Sequence, residues 1–309
     1  MPLHGLPRLS LIALMVASLA ECNQAQSETA SSDPVVKALV QRSLANMVFV
    51  KGGTFMMGDF GSQVTPEKLP FTAQKENKPL HKVDLDDFSI SKYKVTYADF
   101  DIYTAVTGTP PWPRNAIDQK YKMPDYPAGV SWQAARDYCQ WLGKQSAKSI
   151  DLPTEAQWEY AARNGGKFVR FATDNGQYDL DRNVPSVEQI EEKLSKDGKG
   201  GYGTYPIGKF PATPLGLYDV GFDGREWVSD WFAADYYEHS SAKNPTGPSS
   251  GSTKILRGEE GDAQETAMTA YRDNVAPIKP SIKWKDGTVV EPEYVTDTFR
   301  CVIRSGNPP

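Results

Sequence analysis

Leu152-Pro-Thr-Glu-Ala-Gln-Trp-Glu-Tyr-Ala-Ala-Arg163 is the stretch on which the fold turns. Thr154 stands where a helix needs a capping hydroxyl, and Gln157, three residues on, reaches back to the N–H of the cap. A capping box therefore opens a helix here. Trp158, Ala161 and Ala162 share one side at helical spacing, which leaves Glu155, Glu159 and Arg163 for polar partners.

Upstream of it, Ala135, Tyr138, Cys139 and Leu142 recur at spacings of three and four and predict a helix over 132–142 with a core-facing side. Thr96 caps another through Phe100 and Tyr103. Val83 to Tyr93 alternates apolar and polar residues as a half-buried strand does, and Met47 to Gly58 reads as two short strands around Gly52-Gly53. Downstream, 174–205 is polar and Gly-rich, with an exposed helix expected over 188–199 and long irregular loops around it. Gly216-Leu-Tyr-Asp219 leads into the aromatic block Glu226-Trp-Val-Ser-Asp-Trp231. Ile255 to Gly258 and Phe299 to Arg304 read as strands, separated by a Pro- and Lys-containing insertion at 277–297. With no internal repeat and no clean linker after residue 46, a single domain is expected over 46–309.

Composition narrows the class. Of 309 residues, 39% are hydrophobic, enough for a core, while 25 Gly and 23 Pro favour turns over a helical bundle. The net charge of −5 gives no basis for a nucleic-acid partner. Arg8 precedes the apolar stretch Leu9 to Ala20, too short to span a bilayer but suited to a secretory signal over 1–21. Leu19-Ala20-Glu21-Cys22 resembles a bacterial lipoprotein cleavage site, with Glu21 where a small residue is usual. Cys22 is thus the lipidation candidate, and cleavage after Ala20 to give a free periplasmic protein is the competing reading. Residues 22–45 are rich in Ser, Ala, Gln and charge and read as a flexible tether. With Asn23 rather than Asp after Cys22, an outer-membrane anchor facing the periplasm is the expected placement. The other two cysteines, Cys139 and Cys301, are either bridged or two small buried side chains.

Gly52 to Gly58, Tyr93-Lys-Val-Thr96, Pro127 to Trp132, Tyr138-Cys-Gln-Trp141, Leu152 to Arg163, Gly216 to Asp219, Glu226-Trp227, Leu256-Arg-Gly258 and Phe299-Arg-Cys301 follow one another as in the formylglycine-generating enzyme, or sulfatase-modifying factor, family. The resemblance implies one irregular α+β domain with short strands, a few helices and long loops. Fold alone does not carry activity. Formylglycine-generating members hold copper on a cysteine pair between the segments matching Ile255–Gly258 and Phe299–Cys301, and 259–300 here contains no cysteine. Iron-dependent members use three histidines, whereas His4, His81 and His239 form no spaced pair. A third, periplasmic class matures a pyoverdine siderophore without the cysteine pair. For it, the adjacent Glu259 and Glu260 are the candidate acid/base groups, against a reading as solvated loop carboxylates.

The resemblance also implies calcium, held by a loop that here reads Gly221-Phe-Asp-Gly-Arg-Glu-Trp227 and by an upstream loop matching Asn183. Asp223, Glu226 and Asn183 are the oxygen ligands it would use. Finally, Met57 to Gly61, Pro66 to Pro70, His81-Lys-Val, Ser91 to Phe100 and Asn244-Pro-x-Gly-Pro248 resemble envelope lipoproteins associated with type VI secretion phospholipase effectors. They imply an immunity protein whose partner is a toxin or effector, held at the membrane by a lipid anchor, and not an enzyme. Trp112 and Trp284, both in loops, are the expected partner anchors.

Overall fold

The computed structural model describes residues 31–186, 188–189, 191–192, 205–259, 264 and 266–304. The signal, Cys22 and most of the expected 188–199 helix lie outside the described residues. Among the described residues no helix is long and apolar enough to cross a membrane.

The first described element is α1 (Pro34–Ala45), so this part of the tether expected over 22–45 is helical instead. Asp33 accepts a hydrogen bond from Val35 N, Pro34 occupies the first turn, and Val36 and Leu39 are buried. Arg42 then pairs with Asp99, and Leu44 packs against the core. Two apolar anchors and a cap make this segment part of the domain.

Strands β1 (Met47–Val50) and β2 (Gly53–Met57) flank the Gly52-Gly53 turn but do not pair with one another. β1 pairs antiparallel with β4 (Phe88–Ser91), and β2 with β3 (His81–Leu85). A Cβ at Gly52 would meet the backbone of Leu85 and Asp86, so only glycine lets the two strand pairs part there. The single strand expected over 83–93 is thus two, broken at Asp86-Asp87. Between β2 and β3 lies α2 (Gly61–Val64), whose loop is gathered by Asp59 accepting from the N–H groups of Gly61, Phe71 and Thr72.

Thr96 caps α3 (Tyr97–Thr107), followed by α4 (Ala116–Tyr121), α5 (Trp132–Ser146) and β5 (Ile150–Asp151). α6 (Glu155–Ala162) carries the full capping box, Thr154 Oγ1 receiving Gln157 N and Gln157 Oε1 receiving Thr154 N at 3.0 Å. Then come β6 (Arg225–Trp231), α7 (Tyr236–His239), β7 (Lys254–Arg257), β8 (Asp273–Val275), β9 (Ile282–Lys283), β10 (Val289–Val290), β11 (Asp297–Thr298) and β12 (Val302–Ile303).

Among the described residues two four-stranded sheets result, ordered β1-β4-β12-β5 and β11-β6-β7-β8, with β2-β3 and β9-β10 as separate pairs. The α+β class expected from sequence is therefore observed. One apolar cluster joins α3, α5 and the C-terminal strands through Phe100, Tyr138, Leu142, Trp227 and Phe299, and a second lies under α6 around Phe55, Phe88, Trp158 and Val228. Cys139 of α5 and Cys301 are disulfide-bonded across the first, with Cα atoms 5.7 Å apart, which resolves the two readings of the pair in favour of the bridge.

Candidate functional site

α6 shows how the scaffold is clamped. Glu155, Glu159 and Arg163, assigned by their spacing to polar partners, find them inside the protein rather than in water. Arg257 bridges Glu155 (2.7 Å) and Glu159 (2.9 Å), Arg272 grips Glu155 (2.6 Å and 3.1 Å), and Arg163 reaches Glu159 at 2.6 Å. Gly58 N adds a further bond to Glu159. Burial alone would raise the Glu155 carboxyl, but Arg272 and Arg257 hold it below its usual value. Every charge here is paired, so removing one would strand another in a dry interior.

Arg257 ends β7, and the chain then turns through Gly258 into Glu259. Gly258 has φ +94° and rests on the backbone of Gly221 so closely that a Cβ there would sit 3.0 Å from Gly221 Cα. Glu259 N donates to Gly221 O at 3.0 Å, and Glu259 Oε1 lies 3.5 Å from the Tyr178 hydroxyl. Glu259 is thus buried, not the solvated carboxylate of the alternative reading. Glu260 lies outside the described residues. Beside Glu259, Phe171, Ala267 and Met268 form a small cluster with Phe71, Tyr178 and Tyr271 packed against it. Arg170 lies 4.8 Å over Phe71 and 5.1 Å over Phe171. Among the described residues no thiolate is left to bind copper, since Cys139 and Cys301 are bonded to each other.

The three expected calcium ligands do not converge. Glu226 is fully buried and held by Arg300 through two bonds of 2.6 Å and 3.0 Å. Asp223 Oδ1 accepts from Tyr205 N at 2.6 Å. Asn183 serves its own loop, its amide donating to Asp174 Oδ1, Asn175 Oδ1 and Gln177 O while its Oδ1 accepts from Asp179 N. The carbonyl oxygens of Phe222, Asp223 and Gly224 do converge, but on the ammonium of Lys94, at 2.9, 2.7 and 2.6 Å. The donor set therefore does not fit a calcium ion, and among the described residues no other group of acids, histidines or cysteines has a metal-binding arrangement. Lys94 stands in the sequence as the basic residue of the Tyr93-Lys-Val-Thr96 motif, with no role assigned to it by its neighbours.

The two tryptophans part company. Trp112 is buried, its ring 5.0 Å from Tyr294 and 4.6 Å under the Arg114 guanidinium, so it is a core residue and not a surface anchor. Trp284 is 59% exposed at the turn of β9-β10. Direct pairing of Val290 with Ile282 puts both on one face of that hairpin, the face on which Trp284 also falls, and Ile282 is 60% exposed. Lys283, paired with Val289, falls on the other face, and Lys285 follows the ring in the turn.

Asn244 closes a smaller feature, bonding Asp86 in both directions and donating its N–H to Asp84 O. It brings the 244–248 motif against β3 and lines a cavity of about 190 Å³ with Asp87, Thr154, Gln157 and Arg304. That is below the ~300 Å³ at which ligand pockets begin. Water fits it better than a substrate.

The profile of the sulfatase-modifying factor enzyme 1-like domain matches residues 32–285. The chain belongs to the sulfatase-modifying factor family. It is 29% identical over 273 residues to the bovine formylglycine-generating enzyme, covering 73% of this chain and 68% of that protein. Against the enzyme of the same name from Thermomonospora curvata it is 28% identical over 278 residues, covering 75% and 88%. Among solved structures, PvdO from Pseudomonas aeruginosa superposes with a TM-score of 0.62 at 25% identity, over 84% of this chain and 94% of that one.

Proposed function

We propose that this protein uses the sulfatase-modifying factor scaffold for binding rather than for thiol chemistry. In this reading it is an exported immunity protein, anchored through Cys22 to the periplasmic face of the outer membrane, that captures a secreted phospholipase toxin. The observation that carries the reading is the disulfide: it leaves no free thiol in the folded domain, while the family's copper chemistry needs two. The same bond supports an oxidising compartment. The exposed Ile282, Trp284 and Val289, on a hairpin hydrogen-bonded to no other strand among the described residues, support a protein-binding element.

Affinity capture with the purified chain from envelope extract of the producing cell tests this, together with protection of a sensitive strain expressing the captured lipase. Recovery of a phospholipase and survival of the strain are expected. Capture of no lipase, or capture without protection, overturns it.

A second reading, a periplasmic oxidoreductase of the siderophore-maturing kind, is favoured by one feature, the burial of Glu259 beneath the Tyr178 hydroxyl. Under it, oxidation of a pyoverdine precursor would be lost in Glu259→Gln with the fold intact. Under the binding reading no such oxidation is observed.

A further inference from the structure

The loop from Asp219 to Glu226 is built around a positive charge. Asp219, Gly221, Asp223 and Gly224 adopt φ values of +57°, +82°, +62° and +91°, so the backbone curls and turns the carbonyls of residues 222, 223 and 224 onto one point. Convergent, buried carbonyl oxygens are what a hard cation takes as ligands, and left unpaired each would be costly. The point is filled by Lys94 Nζ, whose three protons match the three oxygens at 2.9, 2.7 and 2.6 Å. Lys94 itself is 2% exposed, so the ammonium is held inside the fold.

The surrounding charges are consistent with that occupant. Burial pushes the Lys94 ammonium down from its usual value, while Glu226 and Asp223 favour its charged form, Arg300 opposes it and Asp219 adds to it. Glu226 and Arg300 neutralise one another through their paired bonds, and Asp219 Oδ2 is also bonded to Gly208 N. The ammonium therefore meets its carbonyl ring beside two further carboxylates, a setting that a divalent ion could share only by expelling it.

We propose that Lys94 is a covalently tethered internal cation that closes the 219–226 loop in place of a bound metal ion, making the folding of this domain independent of calcium. The loop then needs no ion from its surroundings.

Thermal unfolding of the purified chain in EDTA and in calcium chloride tests this directly, and one midpoint is expected in both. Lys94→Ala removes the ammonium and leaves its carbonyl ring; a fall of about 10 °C is expected, from the loss of one partner in a buried charged contact. Calcium chloride or ethylammonium should restore part of that fall. Lys94→Met, whose stem still fills the space, should lose comparable stability and regain none. A midpoint of the unmodified chain that moves with calcium overturns the proposal, as does a Lys94→Ala variant as stable as its parent or one that neither cation restores. Should Lys94→Ala not fold, calorimetric titration of the unmodified chain with calcium decides: one-to-one binding overturns the proposal, and absence of binding supports it.

Discussion

The ionic centre beneath α6 and the β9-β10 hairpin spend opposite kinds of residue in opposite places. In the first, Glu155, Glu159, Arg163, Arg257 and Arg272 are sealed from solvent, each with a partner from a distant part of the chain, Arg163 through Met56 O. In the second, Ile282, Trp284 and Val289 face water on a two-stranded element with short strands. Charges buried and apolar groups exposed are both departures from ordinary partition. The difference lies in closure. The first departure is charge-paired within the chain, with only Arg163 Nη2 and Arg257 Nε left without a hydrogen bond, and makes architecture, while the second is unpaired and makes a surface.

Substitutions should separate the two regions by size of effect. Arg257→Ala leaves Glu155 to Arg272 and Glu159 to Arg163, each short of one buried partner, and is expected to cost about 3–5 kcal/mol, read from denaturant midpoints. Close behind, Trp112→Ala should cost about 3 kcal/mol by the same measurement, since it empties a core site. A surface role for Trp112 would instead leave stability unchanged. Breaking the Cys139–Cys301 bridge, by Cys139→Ala with Cys301→Ala or by reductant, should cost about 2–4 kcal/mol.

Asp230 tests the edge of the ionic centre. Burial, then the neighbouring Glu155, pushes its carboxyl from 3.8 up to about 7, while its Oδ2 accepts from Glu155 N and Ser229 Oγ. The folded state therefore keeps a proton that the unfolded chain has released, so stability falls as pH rises from about 4 to about 7 and is level beyond. Asp230→Asn should flatten that decline and gain about 1–2 kcal/mol on its parent at neutral pH. Identical pH profiles would show that Asp230 titrates normally. The smallest stability effect belongs to the hairpin. Trp284→Ala should change the midpoint by less than about 0.5 kcal/mol, yet weaken capture of the partner by roughly tenfold or more. A large loss of stability would place Trp284 with the architecture instead.

These contrasts show where the sequence could be read. The capping box of Thr154 and Gln157 was legible because all its partners lie within four residues, and the helices at Thr96 and Trp132 were legible for the same reason. The burial of Glu155 and Glu159 was not, because Arg257 and Arg272, which join the nearby Arg163 in neutralising them, lie about a hundred residues downstream. Met47 to Gly58 showed its two strands but not their partners, which the backbone beside Gly52 decides. Trp112 and Trp284 looked alike as loop aromatics, and only packing tells them apart. The calcium set was carried over by motif, whereas the group that fills the loop, Lys94, comes from a different segment.

The place of β12 has a consequence in time. Val302 and Ile303 form an inner strand of their sheet, hydrogen-bonded to β4 on one side and β5 on the other, and Cys301 beside them completes the disulfide. As a ribosome releases the chain from its N-terminus, the first sheet is split down its middle until residue 303 emerges. Contacts across such separations form late and slowly. The core of the first sheet thus cannot close until nearly the whole described chain has been made.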